Sequence, residues 1–200
     1  MSRLNRLESQ NATRTRLRRA ARHEFASKGV AAASIDRIAE QAGFSRGAFY
    51  SNYASKRELL LELVDEHNVQ EIATWQGLID QADDLEQVLP ELERQFNQYA
   101  ADRQYWLLAV ELLLEAERDA EFGAVYRRHA LKVLLKVREL VRAMALKAGA
   151  ADDADIDTVA VALQSLSLGL MFAQRRSESG GDEAPGQAMT LFLRKILQKG

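Results

Sequence analysis

The chain has two hundred residues, 47% apolar and 28% charged. Such a chain buries a core without staples, which excludes wholesale disorder. Only two prolines and eleven glycines argue against an all-β protein rich in turns, and the absence of cysteine excludes disulfides, thiolate metal sites, iron–sulfur clusters and a cysteine nucleophile. The net charge of -2 hides an asymmetry. Residues 1–57 carry twelve Lys/Arg against four Asp/Glu, whereas residues 58–200 carry fifteen against twenty-five. A basic first quarter on an acidic remainder is the footprint of a polyanion partner at one end, or else of a solvated charged helix.

Residues 1–12 show no clean period and read as a flexible basic arm. From Thr13 the pattern is helical: Leu17, Ala20, Ala21 and Phe25 share one face, and Gly29 stands where a terminating glycine belongs. Ser34 is a helix cap, followed by Ile35, Ile38, Ala39 and Ala42 on one face and by Gly43. Ser45 caps a third short helix, 45–51, and Ser55 a fourth that runs to the region of Trp75–Leu78. Further helical stretches follow: LEQVLPELERQFNQYAAD, where Pro90 is a kink or a start; RQYWLLAVELLLEAERD; Glu121 to Ala148, closed by Gly149; the segment from about Asp155; and QAMTLFLRKILQ after the loop SGGDEAPG. The expectation is an all-α chain of about nine helices. It divides into a helix-turn-helix domain of three helices over 13–56 and a larger helical domain over 57–200. No run of 18 uninterrupted apolar residues occurs, so no membrane span is expected; nor is a secretory signal, and a cytoplasmic protein is the reading.

The densest signal is SIDRIAEQAGFSRGAFYSNYASKRELL, residues 34–60. It spells a short amphipathic helix, a glycine turn and a second capped helix, the order of a helix-turn-helix. Phe49 and Tyr53 would anchor the second helix inward, leaving Arg46, Gly47, Tyr50 and Ser51 outward, toward a major groove. The spacing of Ser34, Ile38, Ala39, Ala42, Gly43, Phe44, Ser45, Gly47, Tyr50, Tyr53, Lys56 and Leu59, with Phe25 and Gly29 before them, resembles the DNA-binding domain of the TetR family of bacterial transcription regulators.

The resemblance implies a recognition helix at 45–51. In it Arg46 reads base edges, Gly47 and Ala48 permit close approach, and Tyr50 contacts phosphate or base. Asn52 and Lys56 are then phosphate contacts, Ser34 and Ser45 caps whose helix N-termini attract phosphate, and Arg37 a weaker contact. Arg3, Arg6, Arg14, Arg16 and Arg18 would add arm contacts. Each residue also has a plain reading as cap, core or solvated side chain. The resemblance further implies double-stranded operator DNA as partner, a homodimer and a small-molecule effector, with no cofactor and no metal.

For the remaining chain, Trp75, Phe96, Tyr99, Trp106, Phe122, Tyr126, Gln164 and Phe172 are either pocket or ordinary core. Leu163, Leu166 and Leu170, with Leu191, Phe192 and Ile196, are candidates for the dimer interface. Glu111 and Glu115 lie one turn apart in an apolar segment. They read as a wet strip or, if buried, as partners of a cationic ligand or of Arg127 or Arg128. His23, His67 and His129 form no H-E-x-x-H or Glu-x-x-His pattern, so an enzyme is not expected. The whole reads as a ligand-responsive repressor of a palindromic operator. The alternatives are a helical small-molecule-binding protein or an architectural DNA-binding protein without effector control.

Overall fold

The structure, a computed structural model, describes residues 3–150, 155–176 and 185–198, with side chains from Glu8 onward and, in the second stretch, as far as Gln174. Among the described residues every regular element is helical: α1 (Arg3–Ala32), α2 (Ile35–Ala42), α3 (Arg46–Tyr50), α4 (Lys56–Gln81), α5 (Leu85–Ala101), α6 (Arg103–Arg118), α7 (Ala120–Lys147), α8 (Ile156–Arg176) and α9 (Pro185–Leu197). The first helix begins at Arg3, ten residues before the expected start, so residues 3–12 are helix where an arm was expected. Their polar sequence lacks a repeating apolar face, and such a face was the only signal used to place the helix. Of the expected loop SGGDEAPG, all but Pro185 and Gly186 lies outside the described residues. Those two open α9, with proline at a first-turn position where its missing N–H costs nothing. Pro90 likewise sits in the second turn of α5, inside the helix and not at its start.

Packing divides the chain differently from the expected break after residue 56. Met1–His67 and Gln104–Tyr126 form one compact unit, and Asn68–Arg103 and Arg127–Gly200 another. In the first unit, α1 packs on α2 and α2 on α3, and Leu17, Ala21 and Phe25 of α1, Ile38 and Ala39 of α2, Phe49 of α3, and Leu59 and Leu60 of α4 are all buried. In the second, α5 packs along α9, and both meet α8. Leu85, Leu89, Leu92 and Phe96 are buried there with Met189, Leu193 and Leu197.

Two glycines set geometry that no other residue would. Gly43 takes a left-handed φ of 75°, its N–H bonds back to Glu40, and the next N–H, of Phe44, reaches the Ala39 carbonyl at 2.8 Å. This wrap ends α2 and turns the chain into α3. Gly186 has ordinary helical geometry but no room. A Cβ there would sit 2.4 Å from the Glu93 carbonyl and 2.8 Å from Asn97 Oδ1, the atom that accepts the Gly186 N–H. Backbone cannot yield as a side-chain tip does, so Gly186→Ala is expected to push α9 off α5 and cost about 1–3 kcal/mol. A thermal melt of that variant matching the wild type would show that the contact is not tight in solution.

By length and composition, Ile156–Gln174 of α8 would suffice to cross a bilayer, with a mean hydropathy of 1.6, although no span was expected there because Gln164, Ser165 and Ser167 interrupt its apolar run. A helix apolar on several faces meets the same measure when those faces are covered by other helices. Val159, Ala160, Leu163 and Met171 are buried within the unit, while Val161, Leu168 and Phe172 face outward.

Candidate nucleic-acid interface

The site is built on α2 and α3. Ser34 caps α2, its hydroxyl accepting the Arg37 N–H at 3.4 Å, and Ser45 caps α3, accepting the Ala48 N–H at 3.2 Å. Ile38, Ala39 and Ala42 turn α2 inward. Phe49 alone anchors α3; it is fully buried, edge-on to Tyr50 at 5.5 Å between centroids and 5.8 Å from Tyr53. One buried ring in five residues forces the rest of α3 outward. Arg46, Gly47, Tyr50 and Ser51 are exposed as expected, Tyr50 at 48%, and Ala48 is half-buried.

Arg46 is not loose. Its Nη1 lies 3.1 Å from Asp36 Oδ2 and 3.3 Å from Oδ1, and the guanidinium carbon stands 5.7 Å from the Tyr50 ring centre. Hydrogen bonding to Tyr50, then the Asp36 charge, raise the guanidinium's pKa further. Arg37 is exposed, with one nitrogen 4.0 Å from Glu24. Glu24 itself is only 3% exposed and accepts the Ser34 N–H at 3.4 Å, tying the last straight turns of α1 to the start of α2. Asn52 donates from Nδ2 to the Ala48 carbonyl at 2.8 Å, while its Oδ1 is buried without a hydrogen-bond partner. That amide therefore closes α3 from within.

Two of the expected arm contacts, Arg14 and Arg18, are otherwise employed. Arg14 and Arg18 face α4 and converge on Glu62, Arg18 at 2.8 Å and Arg14 in closer contact; Arg14 also reaches the Asn52 carbonyl at 2.7 Å. The Tyr53 hydroxyl donates to the same carboxylate at 3.1 Å, and burial, reinforced by that negative charge, pushes its pKa up to about 12. Arg16 lies over the Phe44 ring at 4.8 Å. The side chains of Arg3 and Arg6 lie outside the described set.

Lys56 departs most from its expected role. Its Nζ donates to the carbonyls of Val30, Ala31 and Ala33 at 2.7, 3.0 and 2.8 Å. An ammonium has three protons, and all three are spent on the orphan carbonyls at the end of α1. A lysine at a helix start reads as a phosphate contact in sequence, because the carbonyls it meets are more than twenty residues away. Lys56→Ala is expected to destabilise the protein by about 1–2 kcal/mol and leave the salt slope of DNA binding unchanged. A slope shallower by about 0.9 would return Lys56 to a phosphate.

The α6 carboxylates correct the wet-strip reading. Glu111 accepts the Val30 N–H at 3.2 Å beside Gly29, whose φ of 74° and missing Cβ leave room for it. Glu115 is 8% exposed and takes Arg57 Nε at 2.6 Å; Asp119 takes the same guanidinium at 2.7 Å. Neither glutamate pairs with Arg127 or Arg128. Asp119 also caps α7 through the Phe122 N–H, which with Arg57 holds its pKa below the usual carboxylate range. Phe122 lies 5.6 Å from the Arg57 guanidinium and so belongs to this cluster. Glu62, Arg57 and Asp36 had no site role expected from sequence. For Asp36 a signal existed: it is one of four acidic residues in a basic quarter, and two of those, Glu24 and Asp36, stand beside arginines.

Of the aromatics assigned to a pocket or core, Phe96 is fully buried, between Trp75 at 6.3 Å and Tyr99 at 5.8 Å. Trp106, Phe122 and Tyr126 belong to the first unit. Gln164 and Phe172 are on the exposed side of α8, whereas Leu163, expected at an interface, is buried within its unit. Leu166 and Leu170 are half-buried, as is Phe192, while Leu191 and Ile196 are exposed. Because α8 is apolar on several faces, its period did not separate a face buried within the unit from one left for a partner.

A capped, aromatic-anchored recognition helix presenting an arginine, behind a short helix and a left-handed glycine turn, defines a helix-turn-helix DNA-binding protein. Residues 17–63 match the family model of the bacterial regulatory proteins of the tetR family. The HTH-type transcriptional repressor AcnR of Corynebacterium jeikeium is 28% identical over 174 residues, covering 82% of this chain and 83% of AcnR. Among solved structures, GusR of Salmonella enterica superposes with a TM-score of 0.72 at 19% identity, over 93% of this chain and 95% of GusR. FadR of Bacillus subtilis, in complex with stearoyl-CoA, superposes at 0.70 and 17% over 93% and 98%. A regulator from Saccharomonospora viridis, in complex with choline, superposes at 0.67 and 19% over 94% and 96%. Residues 17–63 thus carry the DNA-binding domain of the bacterial tetR regulatory family.

Proposed function

We propose that this regulator is a repressor that binds a palindromic operator as a homodimer and is released by a small-molecule effector. The observation that carries the DNA half is the outward row of Arg46, Gly47 and Tyr50 on a helix whose only buried residue is Phe49. The caps Ser34 and Ser45, with Ala48, bring backbone close to the duplex, and Arg37 adds charge beside it. Here Asn52 and Lys56 support the recognition helix from behind. The 28% identity to a repressor supports the sense of regulation.

For the dimer, Val161, Leu168 and Phe172 of α8 and Leu191 and Ile196 of α9 are large apolar side chains left in solvent by the single chain. A second copy covering them by a two-fold would set two recognition helices on two half-sites. Effector recognition falls to Trp75 and Tyr99, with Glu71 one turn before Trp75 on α4. The Glu71 Oε2 and Trp75 Nε1 atoms are buried without hydrogen-bond partners, and burial pushes the Glu71 carboxyl up. Such atoms suit a ligand carrying a polar group in a mostly apolar lining. The choline and stearoyl-CoA complexes show that regulators of this fold take both charged and long apolar ligands.

The test is selection of binding sites from a random duplex pool at near-physiological salt, with the mass of the free protein measured by light scattering. A palindrome enriched by a protein of twice the chain mass is the expected result. A monomer, or enrichment of nothing, removes the proposal.

A further inference from the structure

We infer that Asp36 is a specificity-determining residue, whose carboxylate holds the Arg46 guanidinium in its base-reading pose and penalises DNA that Arg46 cannot satisfy. The inference rests on the DNA reading above and assigns a role to a residue that contacts no base in that reading. Arginine has four flexible torsions and, on an exposed five-residue helix, would otherwise sample many rotamers. Here two constraints meet it: both Asp36 oxygens lie within 3.3 Å of Nη1, and the Tyr50 ring stands 5.7 Å away. The carboxylate takes only one nitrogen. With five N–H donors, the guanidinium can keep its bonds to Asp36 and Tyr50 and still offer a pair to the O6 and N7 acceptors of a guanine edge. Rotamer freedom is thus given up before DNA arrives, so less is lost on binding the right base.

The same carboxylate acts against wrong sequences. Asp36 is exposed, is paired with Arg46, and lies on α2 next to the reading helix. When Arg46 finds a guanine, the pair becomes a chain of charge-assisted bonds running from carboxylate to guanidinium to base. When the base offers no acceptor, a negative charge is left beside a polyanion with its partner poorly engaged. Discrimination therefore rises at some expense to general affinity.

Asp36 also sits in the first turn of α2, where any acid favours the helix dipole. Stability must therefore be separated from reading. Asp36→Ala and Asp36→Asn, the latter keeping the shape without the charge, are passed through the same site selection as the wild type. Their melting is monitored in parallel, and each is also combined with Arg46→Ala. The expected result has three parts. Discrimination falls about three- to tenfold at one symmetry-related base pair only. Binding to unrelated duplex is unchanged or tighter. Arg46→Ala alone loses as much discrimination as the double variant. Discrimination that is unchanged, that falls evenly across the site, or that falls additively with Arg46→Ala overturns the inference while leaving the operator intact. A wild-type protein that enriches no site removes the DNA reading and the inference together.

Discussion

Phe49→Ala should unfold the recognition helix before it touches any base. The ring is fully buried and is the only apolar anchor of α3. Five residues are far too few to hold a helix by backbone bonds alone, since nucleation consumes nearly all of their gain. Packing must supply the difference. Removing a buried phenyl ring costs roughly 3–5 kcal/mol through lost transfer and the cavity left behind. That range is comparable to half the stability of an ordinary domain. The edge contact with Tyr50 and the tilted contact with Tyr53 vanish with it. Denaturant titration should show the loss, and DNA binding should fail for specific and unrelated duplexes alike. Tyr50→Ala is the control: its ring is about half exposed, so stability should change little while binding weakens. Equal destabilisation by the two substitutions would mean that α3 is not held as described.

Arg57→Ala is the second large effect, for an electrostatic reason. Glu115 lies almost wholly out of water on α6, and Arg57 is the cation bonded to it, at 2.6 Å. Truncating Arg57 leaves a buried carboxylate without compensation. Such losses run to about 3–5 kcal/mol for fully buried pairs; here the guanidinium is itself partly exposed and screened, so about 2–3 kcal/mol is expected. Glu115→Ala should cost less, because the stranded guanidinium keeps Asp119 at 2.7 Å and water on its open side. Replacing both by leucine should recover much of the loss, as apolar packing avoids the desolvation that the ion pair must overcome. A double-mutant cycle on Arg57 and Glu115 reads the coupling directly. Strict additivity of the two alanine variants would sink the account.

This cluster matters beyond stability. Arg57 follows Lys56, whose ammonium closes the end of α1, and Glu111, one turn before Glu115, takes the N–H of Val30 in that same end. Two successive carboxylates of α6 therefore hold the end of α1 and the first turn of α4, the elements against which α2 and α3 pack. A rearrangement of α6 would be felt at these polar, directional bonds.

What the sequence determined by itself was whatever is written within a few residues. The caps Ser34 and Ser45, the left-handed Gly43 and the spacing of Ile38, Ala39, Ala42, Phe49 and Tyr53 each act through backbone or through neighbours three to four positions away. The helix-turn-helix and its outward row were legible for that reason, as were the all-helical class and the match of Gly29 to a break in α1. Tertiary structure alone decided which charged side chains face one another. Lys56 meets carbonyls 23 to 26 residues back, Arg57 meets α6 some 58 residues on, and Asp36 meets Arg46 across the turn between two helices. It also decided which of the several apolar faces of α8 turns inward. A charged side chain carries no local preference for one partner over another, and a helix with apolar residues on several faces has no single preferred side. Both choices are made by what the rest of the chain brings within a few ångströms.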